Sequence, residues 1–247
     1  MIKKILTFFT LIIVSGFTYS QNNSKLIPHT TKPAPITAQK VIDKYLESIG
    51  GRRNFLMVSD RSVFMSGTVQ SIKIKMTVLQ KSPNKYLQLV DFGSSTQKVI
   101  FNGKEGFLVV GNEIQKIKGT DLEKLKYESS YKLIADLKAY NVKAKFDSTL
   151  DLDGKKTYEI ELIMPNGNIW RQFYDAKTNL KVKEIKPVES PADTLYQNIF
   201  YSDYKKVDGI KYPFYVKQTL GSQIFEFNVD SLKINTGLTD RNFEVGK

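Results

Sequence analysis

Apolar and polar residues alternate with a period of two along most of the chain after residue 58. The clearest stretch runs from Ser71 to Leu79, where one set of alternate positions is apolar and the other holds Lys73, Lys75 and Thr77. Successive side chains of a strand point to opposite sides of a sheet, so this alternation is typical of strands with one apolar face. The pattern therefore predicts a protein built mainly of β-strands.

Compact turn sequences separate these strands. Asn-Gly or Asp-Gly pairs occur at residues 102–103, 153–154, 166–167 and 208–209. Each pair favours the positive φ angles of a tight type I′ hairpin turn. Strands joined by such short connections must be antiparallel neighbours, because a parallel crossover needs about a dozen residues or more. We expect a meander with about five strands in the first half of the chain and about seven in the second.

Three helices are predicted to interrupt this alternation. The first is capped by Thr37 and ends at Ile49, before two glycines, and a short second helix follows over residues 52–58. The third begins at a capping box, Thr120 to Glu123, and its apolar spacing continues to about Tyr140. The predicted class is α+β: a long curled antiparallel sheet, a half-barrel of about 11–12 strands, with about three helices on its concave side.

The first twenty residues have the layout of a secretory signal peptide. Lys3 and Lys4 precede an apolar run over residues 5–14, which is followed by a small or polar stretch over residues 15–20. Cleavage is expected before Gln21. The alternative is a retained membrane anchor, although the apolar run is short for a span of about 20 residues.

The remaining chain is expected to contain one domain. Residues 21–36 are polar and contain several prolines, which is typical of a flexible leader. No repeat or shift in composition divides residues 37–247. We therefore expect a single secreted domain over residues 37–247.

Residue composition excludes several classes of chemistry. The chain has no cysteine and a single histidine, His29, which rules out disulfide scaffolds, Cys nucleophiles and metal sites that need two imidazoles. Nucleophile-elbow, phosphate-loop, dinucleotide and zinc-protease motifs are absent from the sequence. Asp151 to Gly154 resembles the start of a calcium loop, but Leu162 stands at the twelfth position, where a Glu is needed. We expect a protein that is not an enzyme and has no cofactor, while a two-carboxylate hydrolase stays open as a third interpretation.

The positive charge does not indicate a nucleic-acid partner. Loss of Lys3 and Lys4 lowers the formal net charge from +12 to +10, and only five of the 37 basic residues are Arg. Surfaces that read bases or clamp phosphates favour the planar fork of Arg. Lysines spread along strands are typical of a solvated face that discourages edge-to-edge pairing. Peripheral contact with anionic lipid head groups is the alternative.

The amount of apolar strand surface is the positive indication of function. Aromatic residues make up 12% of the chain, and several strands look apolar on both faces, although a one-sided sheet needs one apolar face only. Helices or loops could cover both faces, or the inner face could line a cavity for a lipid-like ligand. Alternation along the strands predicts the lining of that cavity as Ile72, Ile74, Met76, Leu87, Leu89, Phe101, Trp170, Phe225 and Phe227.

Three segments carry a family resemblance. The turn from Phe173 to Val182 and the hairpin from Phe200 to Phe214, with its Asp-Tyr, Val, Gly-Ile and Pro residues, resemble those of LolA-like proteins. The segment from Ala38 to Arg52 resembles the first helix of bacterial outer-membrane lipoprotein-sorting proteins, and also of modules that accompany some zinc peptidases. Together these segments resemble the LolA-like lipoprotein carrier family.

This resemblance implies a periplasmic half-barrel that shields acyl chains of a lipoprotein, or another lipid, between membranes. Family carriers use a particular arginine to couple a strand to a helical lid, and Arg61 at the start of the first strand is not a convincing match. The rival expectation is a non-catalytic envelope interaction or sensor domain, which would fill its concave side with its own side chains and bind a protein partner.

Overall fold

A computed structural model describes residues 35–69, 72–189 and 194–246. The predicted signal peptide, His29 and the leader up to residue 34 lie outside the described residues. Within the described chain, the α-helices are α1 (Ala38–Ser48), α2 (Arg52–Met57) and α3 (Gly119–Glu128). Short 3₁₀ turns occur at Leu133–Ala135, Leu137–Tyr140 and Asp240–Phe243.

Thirteen strands in the described chain form one antiparallel sheet. They are β1 (Asp60–Val69), β2 (Ile72–Lys81), β3 (Lys85–Asp91), β4 (Thr96–Phe101), β5 (Gly106–Val110), β6 (Glu113–Ile117), β7 (Lys143–Leu152), β8 (Lys155–Ile163), β9 (Ile169–Asp175), β10 (Lys181–Glu189), β11 (Thr194–Val207), β12 (Ile210–Leu220) and β13 (Gln223–Ile234).

The strand order confirms the predicted meander. It runs β6-β5-β4-β3-β2-β1-β13-β12-β11-β10-β9-β8-β7, so the first and last strands pair at the centre and β6 and β7 are the edges. The sheet is curled but not closed, and the predicted α+β class is confirmed. The first half contains six strands rather than the expected five. No Asn-Gly or Asp-Gly pair marks the β1–β2 connection, so the turn signals undercount this half.

Helix α1 packs against the sheet in the main apolar cluster, and its ends match the prediction. The Thr37 hydroxyl accepts a hydrogen bond from the Lys40 amide at 3.3 Å, as an N-cap does. At the other end, the Lys211 amide donates to the Ile49 carbonyl at 2.7 Å, which ties the helix to the β11–β12 hairpin. A Cβ on Gly50 would lie 2.4 Å from the Gly209 carbonyl oxygen, so glycine permits this close contact.

The prediction for the third helix was wrong in two respects. Lys118 rather than Thr120 is the N-cap, and it makes no side-chain cap hydrogen bond. The helix ends at Glu128 and two 3₁₀ turns follow it, instead of a continuous helix to Tyr140. Ser129 begins the break, since its hydroxyl donates to the Lys126 carbonyl at 2.9 Å. Serine side chains compete in this way for backbone groups and favour helix ends.

Two of the four predicted type I′ turns have the expected geometry. At residues 153–154 and 208–209 both residues have positive φ, between 45° and 88°. At the other two pairs only the glycine does. There the asparagine carboxamide caps the turn instead: Asn102 accepts from the Glu105 amide at 2.9 Å, and Asn166 from the Asn168 amide at 3.2 Å. This Asx geometry replaces the left-handed conformation of the asparagine.

The core is divided into separate apolar clusters along the concave side. The main cluster joins α1, α2 and the first two 3₁₀ turns to β8, β9 and the ends of β12 and β13. Two smaller clusters lie over the β2–β3–β13 region and beneath α3. The last 3₁₀ turn packs elsewhere, where Asp240 contacts Lys81 at 2.9 Å and Lys85 at 2.7 Å. None of the described helices is long and apolar enough to cross a membrane.

Candidate ligand cavity

The gap between these clusters is a cavity of about 450 Å³ on the concave side of the sheet. Strands β1–β3 and β9–β13 form its wall, and α1, α2, α3 and the segment that follows α3 add further side chains. The volume falls within the range of about 300–1,000 Å³ that is typical of sites for small molecules. The sheet therefore curves around an open cavity that its own side chains do not fill.

One part of the wall is apolar. Directly opposite residues of antiparallel strands share a face, and the pairs Met65–Met76 and Val216–Phe227 show that these neighbouring strands turn apolar side chains toward the cavity. The apolar lining of β1, β2, β12 and β13 includes Val63, Met65, Met76, Val78, Val216, Phe227 and Val229. This surface is suited to hydrocarbon.

Strand β10 brings charge into the same cavity. Glu184 is 3% exposed, and its Oε2 lies 3.6 Å from the Nζ atoms of both Lys181 and Lys186. The Gln172 amide donates to Glu184 Oε1 at 2.5 Å, and the Tyr201 hydroxyl donates to Oε2 at 2.9 Å. We name Lys181, Glu184 and Lys186 the β10 cluster.

The residues of the β10 cluster shift one another's pKa values. Burial raises the pKa of Glu184, but the Lys181 and Lys186 ammonium groups and the hydrogen bonds from Gln172 and Tyr201 outweigh it and lower that pKa to about 2. Burial lowers the pKa of Lys181, and the positive charges of Lys186 and Arg61 lower it further, while Glu184 opposes them. Glu184 is therefore ionised at neutral pH and balances two lysines.

A second polar group lines the cavity from β1. The Arg61 Nε donates to Gln80 Oε1 at 2.5 Å, and its guanidinium carbon lies 5.0 Å from the centre of the Tyr131 ring. The Tyr131 hydroxyl donates to the Val58 carbonyl at 2.6 Å, which ties the segment after α3 to the end of α2. Tyr212 also lines the cavity, and its buried hydroxyl has no hydrogen-bond partner among the described residues.

Cationic side chains outnumber carboxylates in the lining. The Lys124–Glu128 pair, 4.0 Å apart, lies at the α3 side of the cavity, and Lys186 lies 3.9 Å from the same carboxylate. The charged groups of the lining are Arg61, Lys124, Lys181, Lys186 and Lys211 against Glu128 and Glu184. The site therefore combines an apolar wall with an excess of positive charge.

Three of the nine residues predicted to line a cavity do so: Met76, Trp170 and Phe227. Ile74 and Phe225 are buried instead in a packed cluster with Val69 and Val90. Phe101 is fully buried beneath α3, against Leu125. These three side chains belong to the packed core rather than to the cavity lining. Whether any of the nine contacts a ligand stays a prediction.

Leu87, Leu89 and Ile72 also lie outside the lining, for two different reasons. On β3 the residues that line the cavity are Tyr86 and Gln88, opposite Gln80 and Val78, so Leu87 and Leu89 point to the other face. The apolar character of these leucines suggested the wrong face. Ile72, at the start of β2, is 38% exposed, because β2 extends here beyond its pairing with β3, which begins at Lys75.

The polar residues of the cavity were missed from the sequence. Lys181, Glu184 and Lys186 resemble a solvated strand face, because charged residues are seldom buried unless they are paired. Their sequence spacing places two of them two residues apart, on one face of β10, but pairing with each other is visible only in the structure. Gln80, Gln88 and Gln172 were missed for the same reason, since polar side chains on a strand also resemble a solvated face.

Comparisons with known proteins support the fold. No family model and no curated protein matches the sequence. Solved structures do match. A DUF1329 family protein from Desulfovibrio piger is 14% identical over 84% of this chain and 97% of its own, with a TM-score of 0.58. A LolA superfamily protein from Nitrosomonas europaea is 14% identical over 85% of this chain and 98% of its own, with the same TM-score of 0.58.

A domain from Vibrio parahaemolyticus named for outer membrane lipoprotein sorting is 12% identical over 84% of this chain and 96% of its own, with a TM-score of 0.55. Likeness at such low identity concerns the fold alone. The chain has a LolA-like fold, as the resemblance implied.

Proposed function

We propose that this protein is a non-catalytic carrier of the cell envelope that shields the acyl chain of a lipid or lipoprotein in its concave cavity. The unfilled cavity with its apolar wall is the observation that carries this proposal. In the proposed organisation, residues 1–20 direct secretion to the periplasm, residues 21–36 form a leader and residues 37–247 form the lipid-binding domain. A role in outer-membrane lipoprotein sorting is the most specific form of the proposal.

Transfer energies make such a carrier workable. Burial of each CH₂ group contributes about 0.8 kcal/mol relative to water, so a long acyl chain does not leave a membrane unprotected. A bilayer and an apolar cavity are similar environments for the chain, so exchange between them has a small net free energy. A carrier of this kind needs a cavity that excludes water from the chain rather than very tight binding.

Lipid extraction and native mass spectrometry of protein recovered from the periplasm test the proposal directly. We expect an acyl-containing ligand and a mature chain that begins at Gln21. Ligand-free protein that also fails to take up a fluorescent fatty acid would contradict the carrier function. A stoichiometric protein partner that stays bound after lipid has been stripped would favour the interaction-domain alternative instead.

A pair of neighbouring substitutions on β2 locates the ligand. Val78 lines the cavity, whereas Thr77 points to the opposite face of the same strand, where it pairs with Leu89. Val78→Trp adds bulk inside the cavity, and Trp is well tolerated in strands. We expect Val78→Trp to reduce uptake of the fluorescent fatty acid at least about tenfold, a change of about 1.4 kcal/mol. Equal uptake by Val78→Trp and the control Thr77→Trp would place the ligand elsewhere.

A further inference from the structure

The cavity contains more positive charge than its own carboxylates engage. Lys181 and Lys186 share the buried carboxylate of Glu184 at 3.6 Å, and Lys186 also lies 3.9 Å from Glu128. Both distances are longer than a charge-assisted hydrogen bond of about 2.7–2.9 Å. The Glu184 oxygens already accept hydrogen bonds from Gln172 and Tyr201 at 2.5 and 2.9 Å. Each ammonium group has three N–H donors, so both lysines retain donor capacity.

Aromatic rings hold these lysines at the cavity wall. The Lys186 Nζ lies 4.1 Å from the centre of the Trp170 ring, and the Lys181 Nζ lies 4.6 Å from the centre of the Tyr201 ring. The two lysine side chains are 13% and 18% exposed, compared with 5% for the Glu184 side chain. A ring face attracts a cation without occupying all of its N–H groups, so the lysines are positioned but not saturated.

We propose that the ligand is an acidic amphiphile whose carboxylate or phosphate group binds Lys181 and Lys186 inside the cavity, while its hydrocarbon chain covers the apolar wall. This inference rests on the proposed carrier function and specifies the ligand class. The Arg61 guanidinium belongs to the same lining and adds to the positive potential. Met76 and Phe227 belong to the apolar wall of the same cavity, so one molecule with an acid head and a hydrocarbon chain matches both surfaces.

A free anion fits this site less well than an amphiphile. An anion bound at the lysines alone would leave the apolar wall exposed to water inside the cavity. An uncharged lipid would cover the two lysines without accepting a hydrogen bond from the N–H groups that Glu184 and Glu128 leave unused, and that desolvation costs free energy. The combination of the two surfaces therefore selects the acidic amphiphile.

Three sixteen-carbon probes separate these possibilities in the full mature chain: hexadecanoic acid, hexadecyl phosphate and hexadecanol, each displacing a fluorescent fatty acid. We expect both acids to bind at least about tenfold more tightly than the alcohol, which corresponds to about 1.4 kcal/mol. This comparison uses the unmodified protein, so it does not depend on whether a variant folds. Acetate and inorganic phosphate, added at millimolar concentration, test whether the head group binds without a chain.

Lysine variants locate the acid group. Lys181→Gln and Lys186→Gln are expected to reduce the preference for acid over alcohol. Lys186→Arg keeps the positive charge, so we expect this variant to retain most of the preference. Lys183→Gln is the matched control, since Lys183 is on the same strand but packs over the Phe173 and Phe200 rings outside the cavity. Thermal unfolding of each variant shows whether it remains folded.

The outcomes distinguish this inference from the carrier function. Failure of all three probes to bind would overturn both proposals. Equal binding of acids and alcohol would leave the carrier function standing and overturn the acidic ligand. A preference that survives in the Lys181→Gln and Lys186→Gln variants would also overturn it, and displacement by acetate or phosphate alone would identify a small anion as the ligand.

Discussion

Replacement of Glu184 by Gln tests the electrostatics of the cavity wall. The substitution keeps the shape of the side chain but removes the negative charge that lies 3.6 Å from two lysines. Breaking a buried ion pair on one side costs about 3–5 kcal/mol, because the remaining charge is left uncompensated. The linkage between pKa and stability gives a similar figure. A pKa of about 2 in the folded protein against the ordinary 4.5 corresponds to about 3 kcal/mol at neutral pH.

The sign of the pH dependence follows from the lowered pKa. Glu184 stabilises the fold when the pH is above its ordinary value of 4.5, and this contribution disappears as the pH falls through about 2. We expect Glu184→Gln to lower the free energy of unfolding by about 3 kcal/mol at pH 7 and by only about 1 kcal/mol at pH 3. Urea unfolding followed by far-UV circular dichroism measures both differences.

Glu226→Gln provides the matched control for this prediction. Glu226 is also a strand residue paired with a lysine, Lys217 at 3.5 Å, but its side chain is 46% exposed. Exposed ion pairs contribute about 0–1 kcal/mol, so this variant should remain close to wild type at both pH values. A loss of stability in Glu184→Gln no larger than in the control at pH 7, or an undiminished loss at pH 3, would contradict the role assigned to the Glu184 charge.

Two further predictions concern the supports of the cavity. Gly50→Ala should lower the unfolding free energy by about 1 kcal/mol or more beyond Gly51→Ala, because only the former would place its Cβ against the Gly209 carbonyl, at 2.4 Å; equal losses in thermal unfolding would contradict this steric account. Asp60 is 2% exposed and accepts hydrogen bonds from the Thr236 amide at 2.8 Å and the Gly237 amide at 3.1 Å. Burial would raise the Asp60 pKa, but these hydrogen bonds outweigh it and lower that pKa, so the stabilisation is lost on acidification below about pH 4. Asp60→Asn should cost about 1–3 kcal/mol at pH 7 and less at pH 3, and a loss that does not change with pH would refute the role of the charge.

Short sequence patterns predicted those elements that are stabilised by contacts within a few residues of the chain. Thr37 caps α1, and the pair at residues 208–209 forms a type I′ turn because both residues adopt positive φ. The first helix and the hairpin are joined by the Lys211 amide and the Ile49 carbonyl, a contact that neither segment reveals alone. Local signals therefore predicted both of these elements but not the hydrogen bond that joins them.

The third helix shows where local signals compete. The sequence offers a capping pattern at Thr120, yet the helix begins at Gly119, and it stops at Glu128 although apolar spacing continues. The Ser130 hydroxyl bonds to the Tyr140 hydroxyl, and the Gln80 amide donates to the Ser129 carbonyl at 3.2 Å. Both contacts favour the turns over a longer helix, because a continuous helix would place residues 130 and 140 about 15 Å apart along its axis and because Gln80 lies on β2, outside the segment.

The amino-acid sequence by itself determined the strands and their antiparallel meander. It also showed that the strands carry more apolar surface than one face of a sheet needs. Only the tertiary structure decided which face became concave and which apolar side chains packed together, because a two-residue period marks two faces without saying which one curls inward. It also decided that Lys181, Glu184 and Lys186 lie inside. Their burial depends on mutual pairing and on the Trp170 and Tyr201 rings, which curvature of the sheet brings to the same cavity wall.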